Sequence, residues 1–364
     1  MTINSVAPDQ YQAQLDDKVQ RIRQQFRAFE LPDIQVFPSP PSHFRMRAEF
    51  KIWHEQDEAH FAMFKPGESK RPFRVDDFPI GSLLINQLMP KLLAAINAEK
   101  QLSRRLFQVE FLTTLSNQAV ISLIYHRPLD EVWQEKASAL AEALGVSIVG
   151  RSRKQKVVIG QDYVIEQLQV NGKSFLYQQV ETGFTQPNAK VCESMLSWAV
   201  NAAESLSGDL LELYCGNGNF TIPLSAAFNK VLATEIAKTS VNSALYNLEA
   251  NGVNNVAIAR MSSEELSQAM DKQRTFRRLE EKNIDLDSYA FSTVFVDPPR
   301  AGLDEHTTGV VKGFDHILYV SCNPDTLARD LESIMQTHRI DEFALFDQFP
   351  YTHHVECGVL LSKR

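Results

Sequence analysis

This 364-residue chain predicts an α/β protein, with a parallel sheet in the second half and a mostly antiparallel α+β module in the first. Three observations carry that expectation. From Asn188 onward strand and helix patterns alternate, which means a parallel sheet with crossover helices. Before residue 180 the strands come as hairpins, one of them turning at Asn171-Gly172, a strong two-residue turn signal. A Gly-x-Gly turn, Gly216-Asn217-Gly218, then follows the first strand of the alternating half and leads into a helix. The expected domains are 1–180 and 181–364.

In the first half, Leu15, Val19, Ile22, Phe26 and Phe29 recur at helical spacing from Tyr11 to Phe29, and Pro32 stops the helix. Phe44 to Trp53 alternates apolar residues with His43, Arg45, Arg47, Glu49 and Lys51, which reads as a half-buried strand with a basic face. Ala59 to Phe64 returns as its partner. Lys65, Lys70, Arg71 and Arg74 surround Phe73 in a loop suited either to RNA backbone contacts and base stacking or to plain solvation. A helix over Leu83 to Asn97, the hairpin Arg105–Leu115 with Ala119–His126, and a helix from Glu131 to Leu144 closed by Gly145 follow. Strands 147–151, 156–159, 163–170 and 173–179 complete the half, with Arg151, Arg153, Lys154 and Lys156 as a second basic cluster.

In the second half, a helix runs from Asn188 to Leu206, and strands are expected at 209–214, 230–234, 256–259, 292–296 and 317–320. Ala237 to Ala250 reads as a helix, and Ser262 to Tyr289 as a long, charged helical segment. Arg339–Phe346 and Glu356–Leu361 leave no room for a crossover between them, so they form a closing antiparallel pair.

Composition bounds the function. No apolar run approaches the ~20 residues that span a bilayer, and the start of the chain lacks a basic region followed by an apolar one, so a cytoplasmic protein is expected. Cys192, Cys215, Cys322 and Cys357 form no CxxC pair, and no His cluster has ligand spacing. A disulfide framework and a metal site are therefore not expected, and no obligate protein partner is evident. Net charge is −8, yet residues 1–180 hold 22 Lys and Arg against 20 Asp and Glu, while 181–364 hold 15 against 25. A polyanion, if bound, is gripped mainly by the first half.

Four strand ends carry chemistry. Ile317 to Val320 runs into Ser321-Cys322-Asn323-Pro324, where Asn323 caps a helix with proline at its first position. Cys322 thus stands at a strand's carboxyl end beside a helix N-terminus, a setting expected to lower a thiol's pKa. A lone cysteine in an apolar strand is otherwise a packing residue. Leu211-Glu212-Leu213-Tyr214 leads into the Gly-x-Gly turn, and Glu235 ends the next strand, placed to accept both hydroxyls of a ribose. With no third glycine and an acid before the turn, S-adenosylmethionine is favoured over a nicotinamide cofactor. Asp297-Pro298-Pro299-Arg300 is a loop stiffened by two prolines that fixes Asp297 beside the methionine end of such a cofactor.

Taken in order, Phe184-Thr185-Gln186-Pro187-Asn188, Leu213 to Phe220, Asp297 to Arg300, Ser321 to Pro324 and His354-Val355-Glu356 resemble the successive motifs of the RNA uracil-5-methyltransferases. The length and the first half resemble the tRNA branch, and the iron–sulfur cysteines and leading β-barrel of the ribosomal-RNA relatives are missing. The resemblance implies a Rossmann-like S-adenosylmethionine-dependent methyltransferase fold behind an N-terminal α+β RNA-recognition domain. It implies transfer of a methyl group to carbon 5 of the uridine at position 54 in the T-loop of tRNA, and to the tRNA-like T-arm of tmRNA. It assigns Cys322 as nucleophile, Glu356 as base, and Gln186, Tyr214, Asn219, Glu235 and Asp297 as cofactor contacts, with Glu264 or Glu265 reaching the adenine. A stacked uracil must be extruded before it can react, and Phe107 and His126 on the hairpin strands are expected to support the vacated stack. Competing readings are a DNA cytosine-5 methyltransferase, whose cysteine usually follows a proline, an amino-group methyltransferase, and an RNA-binding or folding protein for which methylation is secondary.

Overall fold

The computed structural model describes residues 6–65, 67 and 72–364. The chain divides into two compact units. One holds the segment ending at Pro8, Pro40–Gln167 and Gln179–Ala189; the other holds Asp9–Ser39, Leu168–Gln178 and Lys190–Arg364. A single cut at residue 180 is therefore not where contacts divide. The helix Tyr11–Gln25 goes with the second unit because Leu15, Ile22 and Phe26 are buried in that unit's core.

The second unit is built on one eight-stranded sheet. Its strands are β1 (Ile34–Phe37), β2 (Asp209–Leu213), β3 (Val231–Thr234), β4 (Val256–Ala259), β5 (Phe291–Val296), β6 (His316–Ser321), β7 (His338–Phe346) and β8 (Glu356–Lys363). Their order is β1-β7-β8-β6-β5-β2-β3-β4. All neighbours run parallel except β8, which is antiparallel to both β6 and β7. β2 is buried at every position, as a strand covered on both faces must be. From β2 the chain builds outward to β3 and β4 on one side and then to β5 and β6 on the other. That reversal opens a ligand crevice at the carboxyl ends of β2 and β5. Because β8 is reversed, its first residue comes to the same edge at which β6 ends.

The sequence reading missed two elements here, and a third breaks up. Ile34–Phe37 forms a parallel edge strand on β7, although four residues between prolines give little periodicity to read. Glu305–Val311 is a helix between β5 and β6. Ser262 to Tyr289 is not one long helix: Ser263–Met270 and Arg277–Glu280 are separate, and Lys272 and Asn283 take left-handed backbone that ends helical runs.

The first unit holds a seven-stranded sheet in the order Phe73–Arg74, Glu58–Met63, Arg47–Glu55, Leu106–Thr113, Ala119–Tyr125, Ser147–Ser152, Gln155–Ile159. Only Ala119–Tyr125 and Ser147–Ser152 pair in parallel, and the helix Glu131–Leu144 makes that crossover, capped by Asp130 and closed by Gly145 in left-handed backbone. Phe50, Phe61, Phe78 and Phe111 form the aromatic centre of its core. The expected open basic face is largely spent internally. Arg45 and Arg47 are half-buried, burial lowers both pKa values, and Arg47 Nη2 donates to the Gly183 carbonyl at 2.9 Å. Arg151 and Lys156 both pair with Glu181, leaving Arg153 and Lys154 exposed. Lys65 is exposed and Arg74 pairs with Asp76, while Lys70 and Arg71 lie outside the described residues.

Candidate active site

Cys322 and Glu356 are brought together by register. Ser321, the last residue of β6, lies opposite Cys357, so the residues immediately beyond, Cys322 and Glu356, meet at the sheet edge. Asn323 caps the helix Pro324–Ile334 by accepting from the Asp325 amide at 3.2 Å, and donates its side-chain amide to the Arg300 carbonyl at 2.9 Å. The second bond ties the loop after β5 to the turn that carries the cysteine. Asp297 opens that loop, and Cys322 senses three neighbouring charges, Glu356, Asp297 and Arg300.

Electrostatics here run against the expectation from helix position. The Cys322 thiol is pushed up to about 11, first by burial and then by Glu356 and Asp297, with Arg300 opposing. Helix dipole and Arg300 together do not offset desolvation. Burial raises Asp297 to about 7, and raises Glu356 well above the carboxylate range, with Asp297 adding to the effect. At rest this pocket is proton-rich: a thiol rather than a thiolate, beside carboxyls that hold protons near neutrality. A cationic ligand would release all three, because a positive charge favours each ionised form.

The Gly-x-Gly turn is built from left-handed backbone at Tyr214 (φ 62°), Gly216 (φ 57°) and Gly218 (φ 82°). A Cβ at Gly218 would lie in ordinary contact with Ile222 and Ala244, so its left-handed backbone rather than crowding calls for glycine. At Gly216 a Cβ would meet nothing, so the backbone there faces open space. Glu235 Oε2 accepts from the Gly216 amide at 3.0 Å and Oε1 from the Ala237 amide at 2.7 Å, which fixes the carboxylate and leaves lone pairs for further donors. Ile236 beside it is 65% exposed. Open backbone, a fixed carboxylate and an apolar surface together fit a nucleoside.

The turn is braced from behind. Tyr177, fully buried, donates its hydroxyl to the Asn219 carbonyl at 3.0 Å, and Asn247 Nδ2 donates to the Asn217 carbonyl at 2.9 Å. Asn219 turns its side-chain amide to the Cys192 sulfur at 3.4 Å, so its expected role toward a cofactor falls to its place in the turn. Tyr214 shares a hydrogen bond with Ser263 at 3.2 Å. Gln186 belongs to the first unit. Glu265 accepts from the Ser262 amide in a capping box and pairs with Arg278, both through Oε2. Glu212, two residues before Tyr214, was weighed only as the acid that precedes the glycine turn. It is buried and its carboxyl is raised by burial to about 8. In the first unit Phe107 and His126 stack with centroids 3.8 Å apart at 15°, with Lys51 5.8 Å from the Phe107 centroid.

Strand order, the glycine turn and the acid ending β3 define a Rossmann-like methyltransferase. The sequence profile described as tRNA (uracil-5-)-methyltransferase matches residues 10–364. The tRNA/tmRNA (uracil-C(5))-methyltransferase of Saccharophagus degradans is 59% identical over 98% of this chain and 98% of its own length. Its namesake in Acinetobacter baylyi is 57% identical over 97% of this chain and 98% of its own. The structure of the Pyrococcus abyssi tRNA (uracil-54, C5)-methyltransferase in complex with S-adenosyl-L-homocysteine superposes with a TM-score of 0.72 at 21% identity, over 96% of this chain and 83% of that one, and shows the shared fold. The chain belongs to the tRNA (uracil-5-)-methyltransferase family. No group of three or more His, Cys, Asp or Glu among the described residues is arranged to hold a metal ion, and no helix there is long and apolar enough to cross a membrane.

Proposed function

We propose that this chain methylates carbon 5 of the uridine at position 54 in the T-loop of tRNA, and of the equivalent uridine in the T-arm of tmRNA, with S-adenosylmethionine as donor. The observation that supports it most is the placement of Cys322 and Glu356 on adjoining strands at the sheet edge where the Gly-x-Gly turn also opens. The cytoplasm, where tRNA is modified, is its place of action.

Carbon 5 of uracil is too weak a nucleophile to take a methyl group unaided. Cys322 Sγ, as thiolate, bonds to carbon 6, and the electron pair of the 5,6 double bond passes into an enolate that makes carbon 5 nucleophilic. S-adenosylmethionine supplies the methyl on a positive sulfur and leaves as S-adenosylhomocysteine. Glu356 then takes the proton from carbon 5, the double bond re-forms, and the thiolate departs. The high resting pKa of Cys322 works against both attack and departure as thiolate, so a positive charge bound beside it, which favours the ionised form, assists both steps. Asp297 and Glu235 hold the two ends of the donor; Tyr214 and Asn219 complete the cofactor contacts of this unit. Extruding the target base costs a few kcal/mol. The Phe107–His126 stack, with His126 exposed and Phe107 half-buried, offers a surface that replaces the lost stacking, and it also supports a second reading, in which opening the T-arm is itself useful to RNA folding.

A T-arm RNA carrying 5-fluorouracil tests the reaction. Fluorine cannot leave as a proton, so wild-type protein with S-adenosylmethionine is expected to form a denaturation-stable adduct that Cys322→Ala cannot form. Active wild-type protein without an adduct refutes covalent catalysis.

A further inference from the structure

The helix Tyr11–Gln25 presents a lysine on its buried side. Lys18 lies one turn from Leu15 and Ile22 and is only 4% exposed, although lysine is almost never buried without a partner. Its ammonium spends all three donors on one segment of chain: Asp347 Oδ1 at 2.6 Å, the Phe349 carbonyl at 2.8 Å and the His354 carbonyl at 3.0 Å. That segment is the connection between β7, which ends at Phe346, and β8, which begins at Glu356. The lysine therefore binds both ends of the loop that delivers the catalytic base.

The rest of the helix reinforces the grip. Gln14 Nε2 donates to the second Asp347 oxygen at 2.8 Å, and Gln14 Oε1 accepts from the Tyr351 amide at 3.2 Å. Arg21 donates to the His353 carbonyl. Asp347 is wholly buried, and its own amide donates to the Phe37 carbonyl at 3.0 Å, so the anchor is fixed to the edge strand as well. At the far end of the helix Gln25 donates to Asp325 at 2.7 Å, in the first turn after Cys322. One helix thus touches the loop before the base and the helix after the nucleophile.

We propose that Lys18 is a positioning residue for proton abstraction, holding the 347–355 loop so that Glu356 sits at the depth carbon 5 requires. The inference rests on Glu356 being the base, as proposed above. Lysine 18 touches neither substrate nor reacting atoms; it acts through the two carbonyls it clamps. Its loss lets the loop relax while the thiol, on β6, keeps its own framework. Addition and methyl transfer are then spared, and proton removal is not.

The test follows a methyl-labelled donor and an ordinary uracil T-arm RNA through a single turnover, using the full chain. For Lys18→Met, methyl transfer to RNA is expected within threefold of wild type, while release from the protein slows at least tenfold. A labelled, denaturation-stable RNA–protein adduct then accumulates, and deuterium at carbon 5 slows turnover as it does not in wild type. Parallel loss of methyl transfer and release, or no adduct, overturns the proposal. Because Lys18→Met leaves Asp347 buried and unpaired, the double variant Lys18→Met/Asp347→Asn separates positioning from folding. It is expected to recover thermal stability and still accumulate the adduct; recovery of both stability and release overturns the proposal. Glu356→Gln reports on the base by itself: if it accumulates no adduct, the reading of Glu356 fails whatever Lys18 does.

Discussion

Asp297→Asn is predicted to stabilise the ligand-free protein while abolishing its activity, and the gain depends on pH. The carboxyl closes β5 against Val296, is followed by two prolines, and burial raises it from 3.8 to about 7. A raised acid contributes stability that is complete below its unfolded value near 4 and is lost as pH climbs through 7. At pH 8 the folded wild type holds an ionised carboxylate where desolvation opposes it. At 1.36 kcal/mol per tenfold change in proton affinity, the gap corresponds to about 4 kcal/mol as a ceiling. Since Asp297 is partly open to solvent, roughly half of that is a fair expectation. Asparagine has the same shape and no charge. Urea unfolding of both proteins at pH 4, 5.5, 7 and 8 should show equal stability at the acid end and a lead for the variant of about 2 kcal/mol at pH 8. Asp297 also raises Glu356 and Glu212, so removing its charge eases their ionisation and adds to the variant's lead at alkaline pH. A gap independent of pH, or a less stable variant at pH 8, would refute desolvation as the cause.

Other outcomes follow from the same geometry. Iodoacetamide should alkylate Cys322 slowly at pH 8 in the free protein, with the rate rising to pH 10 or above, and S-adenosylmethionine should move the curve to lower pH; mass spectrometry of the tryptic peptide reads both. Phe107→Ala should weaken productive T-arm binding five- to a hundred-fold, given ~1–3 kcal/mol for one base–aromatic stack, with methyl-donor affinity unchanged. Gly358→Ala should destabilise the protein by about 1–3 kcal/mol, because its Cβ would lie 2.6 Å from the Trp198 ring, and calorimetry measures the loss.

Local signals were legible where local physics decides. Asn171 and Gly172 take the left-handed backbone that their turn demands, Gly145 closes its helix, and β7 and β8 pair antiparallel because nine residues cannot hold a crossover helix. The strand ends holding Glu235, Asp297 and Cys322 were legible for the same reason. Two matters were not. Periodicity shows that Leu15, Ile22 and Phe26 share a face, but it does not say which sheet that face covers, so the first helix was counted with the wrong unit. Nothing local marks Lys18 as buried, since its partner lies more than three hundred residues away. The thiol's pKa was misjudged because helix position can be seen in a sequence, whereas burial and the charges of Glu356 and Asp297 come from the fold.

The edge strand β1 has a consequence for how the molecule is made. Ile34–Phe37 leaves the ribosome early, yet its partner Phe343–Phe346 is among the last segments to appear. Throughout synthesis the helix before it therefore carries an apolar side with no surface to cover, and the sheet cannot close from the nascent end. Closure of this sheet rests on contacts distant in sequence, the kind that fold slowly. A chain cut short of β7 is expected to leave the apolar side of that helix without the partners Phe343 and Leu345 that cover it in the finished sheet.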